Sequence, residues 1–249
     1  MARVLVVDDD RTVREVVTSY LRAAGHEVDE ADDGLAGLEL MRRTPADLVV
    51  LDLMMPTMDG REMCRRMRAA GDVPVIMLSA LAGEESRVDG FELGADDYVT
   101  KPFSPRELVL RVESLLRRTG VAADDEGGLP DVVRDGDLVV DGIRREATLG
   151  GEVLALTGRE FDLLRHFLAH PGVAYSRDQL LEQVWGWTIG DQSTVTVHVR
   201  RVREKVERDP AAPVRLVTVW GVGYRWEPAG PVEPPGADRV TRADGAAGA

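Results

Sequence analysis

The chain has a single cysteine, Cys64, only two lysines, Lys101 and Lys205, and few aromatic residues, 5% of its 249 positions. One cysteine excludes an intrachain disulfide framework and a thiolate metal cluster. Cys64 falls among Arg61, Glu62, Arg65 and Arg66 of a predicted helix, so a packing role is expected. No apolar run is long enough to span a bilayer and no signal-like stretch opens the chain, so a cytoplasmic protein with no membrane partner is expected. Positive charge is also short. The 31 Lys+Arg residues face 44 Asp+Glu, a net charge of −13, which argues against a non-specific nucleic-acid or membrane binder but permits a local basic face. In a chain that defaults to arginine, each of the two lysines is either a position that needs a compact ammonium or one kept by chance. No internal repeat is present, and the length suits one large domain or two ordinary ones.

What is there begins with Leu48-Val49-Val50-Leu51-Asp52, an unbroken apolar run of the kind buried on both faces of a parallel sheet. Val4-Leu5-Val6-Val7 leads likewise into Asp8-Asp9-Asp10. Strand carboxyl ends are where open α/β sheets bind ligands. Carboxylates gathered there repel unless a cation lies between them, and hard oxygen ligands suit Mg²⁺. One of Asp8, Asp9 and Asp10 is expected to cap the next helix instead.

Strands are predicted at 3–7, 27–31, 48–52, 75–79 and 98–100, and helices near 12–24, 35–43, 60–69, 84–93 and 105–118. Ser104, Pro105 and Glu107 form a start signal for the last helix. The alternation implies an α/β fold, a doubly wound five-stranded parallel sheet. Ser79, Tyr98 and Lys101-Pro102 then reach the edge that carries the acids. An ammonium, a hydroxyl and a metal around one aspartate suit a phosphoryl group.

These residues resemble the receiver domain of two-component response regulators, a flavodoxin-like fold. The resemblance covers residues 1–119 and implies that Asp52 accepts a phosphoryl group from a sensor histidine kinase. It implies Mg²⁺ held by Asp9, Asp52 and the carbonyl of Met54, with Asp8 assisting. Ser79 and Tyr98 become a switch pair, Lys101 a phosphate-binding residue, and Lys101-Pro102 a cis bond. Aspartyl phosphatases of the haloacid dehalogenase type need a second Asp two residues on, where this chain has Met54. The chain is therefore not expected to be an enzyme beyond assisting its own phosphotransfer and dephosphorylation.

Residues 120–133 are acidic and Gly-rich and read as a flexible linker, and 228–249 read as a disordered tail. Between them, 134–227 form a second, α+β domain. Short strands flank Gly150-Gly151, and capping boxes at Thr157–Glu160 and Ser176–Gln179 open two helices. A third helix, between Asp191 and Pro210, carries a stripe of Val195, Val199, Val202 and Val206. Its other face is expected to expose Ser193, Val197, Arg200, Arg201 and Glu204, flanked by Thr194, His198 and Arg203. Such a helix suits the major groove of double-stranded DNA. A hairpin follows with the tip Gly221-Val222-Gly223 and with Arg225 behind it.

This half resembles the winged-helix domain of the OmpR/PhoB subfamily, with Trp220 where many members carry a minor-groove arginine. The resemblance implies that Trp185–Gly190 touches RNA polymerase and that phosphorylation yields a homodimer on tandem half-sites. Expected pairs between copies are Arg87–Glu107, Asp97–Arg111 and Asp96–Arg118. The other reading is a phosphorylation-independent DNA-binding regulator with an inert receiver, although Asp9, Asp52 and Lys101 are all retained.

Overall fold

The computed structural model describes residues 1–79, 94–119, 131–187 and 192–229, with side chains of the 105–119 helix described to residue 116. The expected 84–93 helix with Arg87, the Arg118 side chain, residues 120–130 of the linker, 188–190 of the loop and 230–249 of the tail lie outside that set.

In the first unit β1 (Arg3–Val7), β2 (Glu27–Ala31), β3 (Leu48–Asp52), β4 (Val75–Ser79) and β5 (Asp97–Thr100) form one parallel sheet, ordered β2-β1-β3-β4-β5. Strand alternation separates two apolar layers. Val4, Val6, Val50 and Ile76 pack with Val17 and Leu21 of α1 (Arg11–Ala23) and with Leu108 and Val112 of α4 (Pro105–Thr119). Leu5, Val7, Val49 and Met77 face Met63, Cys64 and Met67 of α3 (Gly60–Ala70). Helix α2 (Gly34–Arg43) completes that side. The strand order reverses at β1, so the crevice between the carboxyl ends of β1 and β3 is the topological switch point.

The second unit opens with an antiparallel sheet of β6 (Val132–Asp135), β7 (Leu138–Asp141), β8 (Glu146–Leu149) and β9 (Glu152–Val153). Its first two residues fall in the stretch read as linker. Gly150 and Gly151, at φ 60 and 91, make the tight β8–β9 turn. Both capping boxes are present, opening α5 (Gly158–Ala169) and α6 (Arg177–Leu180), and α6 passes into a π-helical turn, Leu181–Trp185. Helix α7 (Ser193–Val206) lays its valine stripe against Phe161, Leu164, Val184, Trp185 and Trp226 in one core. Strands β10 (Ala174–Ser176), β11 (Leu216–Val219) and β12 (Gly223–Trp226) close the domain as an antiparallel sheet, ordered β10-β12-β11. A Cβ on Gly223 would lie 2.0 Å from the Tyr175 carbonyl oxygen, so this close strand approach requires glycine.

Candidate functional site

Asp8 and Asp9 follow β1, and Asp52 ends β3. Carboxylate oxygens of all three lie within 4.8 Å of one another. Asp10 is the helix cap. It accepts from the backbone N–H of Thr12 at 2.8 Å and of Val13, which is why α1 starts one residue earlier than expected. Asp8 and Asp52 are buried and Asp9 is exposed, so the cluster opens outward on one side. Lys101, past the end of β5, places its ammonium 2.6 Å from Asp8 and 3.2 Å from Asp52. Burial raises the Asp52 pKa, Lys101 opposes the rise and the Asp8 charge adds to it. Burial also disfavours the Lys101 charge, but the two carboxylates outweigh it and raise the lysine pKa. Three carboxylates against one ammonium leave negative charge that a divalent cation can neutralise.

Gly60 fixes the acceptor's backbone. A Cβ there would lie 2.1 Å from the Asp52 carbonyl oxygen, so only glycine lets α3 begin against β3. Met54 lies just past the strand, Ser79 ends β4 and is fully buried, and Lys101-Pro102 is cis. Tyr98 is buried in the apolar cluster on the α3 side of the sheet.

The second unit corrects the expected exposure of the α7 reading face. Thr194, Val197, His198 and Arg201 are buried, while Arg200 is exposed and pairs with Glu204 at 3.0 Å. For Val197 and Arg201 the cause is the first unit, which packs against the helix there. Val197 belongs to the same apolar cluster as Cys64, Met67, Ala95 and Tyr98. Arg201 lies 3.6 Å from Glu160 and within electrostatic reach of Asp96, Arg68 and Cys64. His198 points inward instead of toward solvent. Its ring meets Trp185 edge-on at 5.1 Å, and its Nδ1 lies 2.8 Å from the Thr194 carbonyl oxygen. Arg203 donates to the Leu216 carbonyl at 2.8 Å and to Thr218 at 2.8 Å, bracing the hairpin. Arg225 pairs with Glu227. Lys205 bonds to Glu160, so this retained lysine ties α7 to α5. Trp220, at the hairpin tip, is 91% exposed.

Several residues expected to pair between copies have partners within their own chain. Asp97 and Arg111 meet within one chain at 3.2 Å, and Arg111 takes Glu107 at 2.6 Å one helical turn away. Asp96 pairs with Arg68 at 2.7 Å. Asp96 and Asp97 leave the sheet edge pointing inward, where an arginine of their own unit satisfies each one. Burial lifts the Asp97 carboxyl to about 6 against the pull of Arg111.

The contact between units involves residues that the sequence did not single out for it. The hydroxyl of Ser114 donates to the Trp185 carbonyl. The Trp185 indole N–H points at the Asp96 carbonyl, 3.5 Å away, and the Arg111 guanidinium sits 4.2 Å over the Trp187 ring. Nothing in local patterning marks a serine on the buried side of an amphipathic helix as a docking residue.

Residues 4–113 match the family described as response regulator receiver domain, and residues 151–226 that described as transcriptional regulatory protein, C terminal. The sensory transduction protein RegX3 of Mycolicibacterium smegmatis is 44% identical over 228 residues, covering 91% of this chain and 100% of the relative. The transcriptional regulatory protein ResD of Bacillus subtilis is 42% identical over 229 residues, covering 90% of this chain and 95% of the relative. A solved RitR mutant shares the fold, with TM-score 0.69 at 23% identity, covering 92% of this chain and 100% of that one.

The chain belongs to the response regulators, in their OmpR/PhoB-type branch. It is a DNA-binding transcriptional regulator of a two-component system rather than a conventional enzyme. Among the described residues, no helix is long and apolar enough to cross a membrane.

Proposed function

We propose that a sensor histidine kinase phosphorylates Asp52 and that this event turns on sequence-specific DNA binding in the cytoplasm. The supporting observation is the set of Asp8, Asp9 and Asp52 at the β1/β3 switch point with the Lys101 ammonium among them. Asp9, Asp52 and the Met54 carbonyl would hold Mg²⁺, with Asp8 assisting. When bound, the metal offsets charge on the incoming phosphoryl group. The Asp52 carboxylate attacks phosphorus in line, forming a P–O bond as the P–N bond to the kinase histidine breaks. Lys101 binds a phosphoryl oxygen, the Ser79 hydroxyl donates to another, and Tyr98 follows Ser79. The same groups position water for the chain's own dephosphorylation.

The working units are a receiver over 1–119 and an effector over 134–227. On DNA, Arg201 reads a base edge and Val197 meets a thymine methyl, with Thr194, Arg200, Arg203 and Arg225 at the backbone. His198, expected among the backbone contacts, packs its ring edge-on against Trp185 in this chain. Two phosphorylated copies occupy tandem half-sites, and the Trp185–Gly190 segment meets RNA polymerase.

The direct test is incubation with acetyl phosphate and Mg²⁺, followed by mapping of the acyl phosphate. Label on Asp52 that disappears in Asp52→Asn is expected. Undiminished label in that variant contradicts the assignment.

A further inference from the structure

We propose that Trp220 enters the minor groove of bound DNA as an uncharged aromatic wedge. There it partly unstacks a base step and makes the protein favour thymine–adenine steps beside its site. The inference rests on the DNA-binding reading above and gives the hairpin tip a role in it.

Trp185, Trp187 and Trp226 are buried, whereas Trp220 stands almost wholly in solvent. Packing within the chain therefore does not account for this indole. Its backbone is nonetheless fixed. The Val222 N–H donates to the Val219 carbonyl at 3.0 Å, and Gly221 takes φ 75, which closes a tight turn around Trp220. Strand β12 is paired on both sides, by β10 and β11, so the turn sits on a braced base. Val222, also exposed, extends the apolar tip. Behind the tip the hairpin is cationic. Arg177 and Arg203 lie over the Tyr224 ring at 5.1 and 5.6 Å, and Arg203 also bonds Thr218, just before the tip. Arg203 belongs to α7, so the hairpin continues the surface of the proposed reading helix. That continuity selects DNA as the occupant, with a cationic base for phosphates and a neutral tip beyond it.

An arginine and an indole read different things in a minor groove. An arginine is drawn to the strong negative potential of a narrow A-tract groove. The indole carries no charge and gains nothing from that potential. It gains by stacking, and apolar side chains inserted into the minor groove unstack a step and kink the duplex. Pyrimidine–purine steps unstack most easily, so the cost is low at thymine–adenine. The one polar atom of the indole is an N–H donor. In the minor groove A·T pairs offer only acceptors, whereas guanine adds a donor that an N–H cannot satisfy. Stacking cost and hydrogen bonding thus select the same step.

The test uses the full chain at low salt, with acetyl phosphate and Mg²⁺, and three duplexes of equal length. One alternates thymine and adenine, one arranges the same bases as A-tracts, and one alternates guanine and cytosine. The first two carry aminopurine, an adenine analogue whose emission rises on unstacking. Wild type should bind the alternating thymine–adenine duplex most tightly and raise its aminopurine emission. Trp220→Ala, a change at an exposed site, should bind that duplex about tenfold more weakly and lose the emission rise. Its salt dependence should stay that of wild type, because no charge is removed. Trp220→Phe keeps a ring but no N–H, so it should retain the emission rise and lose part of the discrimination against guanine–cytosine. Trp220→Arg should move the preference to the A-tract duplex. Three results overturn the proposal: wild-type binding with no emission rise, an emission rise that survives Trp220→Ala, and an equal loss for Trp220→Ala on all three duplexes. The last would make Trp220 a sugar-phosphate contact. Wild type that binds no duplex would contradict the DNA-binding reading itself, whereas binding without unstacking contradicts the wedge alone.

Discussion

The Lys101 ammonium lies 2.6 Å from an oxygen of Asp8, a carboxylate with no exposure to solvent, and so holds part of the place that a metal would otherwise neutralise alone. Removing it takes away the ammonium that meets both buried carboxylates of the cluster. Lys101→Ala should therefore bind Mg²⁺ more tightly than wild type, seen as a larger Mg²⁺-induced rise in Tm, and should take phosphoryl groups more slowly. A Tm response to Mg²⁺ that survives Asp8→Asn with Asp9→Asn would place the ion elsewhere.

Gly60 supports the acceptor through backbone contact. Gly60→Ala forces a methyl group to within 2.1 Å of the Asp52 carbonyl oxygen unless α3 moves. The expected loss is about 2–3 kcal/mol in urea unfolding, together with slower phosphorylation, because β3 or α3 must shift. Unchanged stability and rate would show that the contact relaxes freely.

Arg201 is the proposed base reader. In phosphorylated protein Arg201→Ala should cost about 1–3 kcal/mol on cognate DNA and relax specificity. A uniform loss on cognate and random duplexes, with a shallower salt dependence, would make it a phosphate contact instead.

His198 gives a pH signature. Burial, with Arg201 next in effect, pushes its pKa down to about 4 from 6.5. The folded protein holds the ring neutral while the unfolded chain protonates, so this contribution is intact above about pH 6.5 and is lost as pH falls toward 4. The size is roughly 3 kcal/mol. Asp97 and Asp72, both raised to about 6 by burial, act with the opposite sign in this window. The informative quantity is therefore the difference between wild type and His198→Phe across pH 4 to 6.5. That difference should narrow as pH falls, and a constant difference would contradict the neutral buried ring.

The receiver was legible because its logic is local. Strand ends place Asp8, Asp52, Ser79 and Lys101 together, and one of the three aspartates after β1 was expected to cap α1, which the structure shows to be Asp10. Both capping boxes and the valine stripe of α7 were readable for the same reason. The short strand Glu146–Leu149 was not, because its Glu-Ala-Thr-Leu sequence carries little β signal away from its partners. Nor was the burial of Val197 and Arg201. Helical periodicity separates the two faces of a helix, but it does not say whether solvent or another domain meets the second face. Asp97 and Arg111 show the same limit. Their charges marked a pair, and only the fold shows that they also meet within one chain.

The central claim is that the charge state of Asp52 governs DNA binding. Footprinting across the gene's own upstream region, with acetyl phosphate and Mg²⁺ present or absent, tests it most directly. Wild type should gain protection on adding the donor, at concentrations where Asp52→Asn protects weakly and does not respond. Equal protection by both chains, with the same response to the donor, would contradict it.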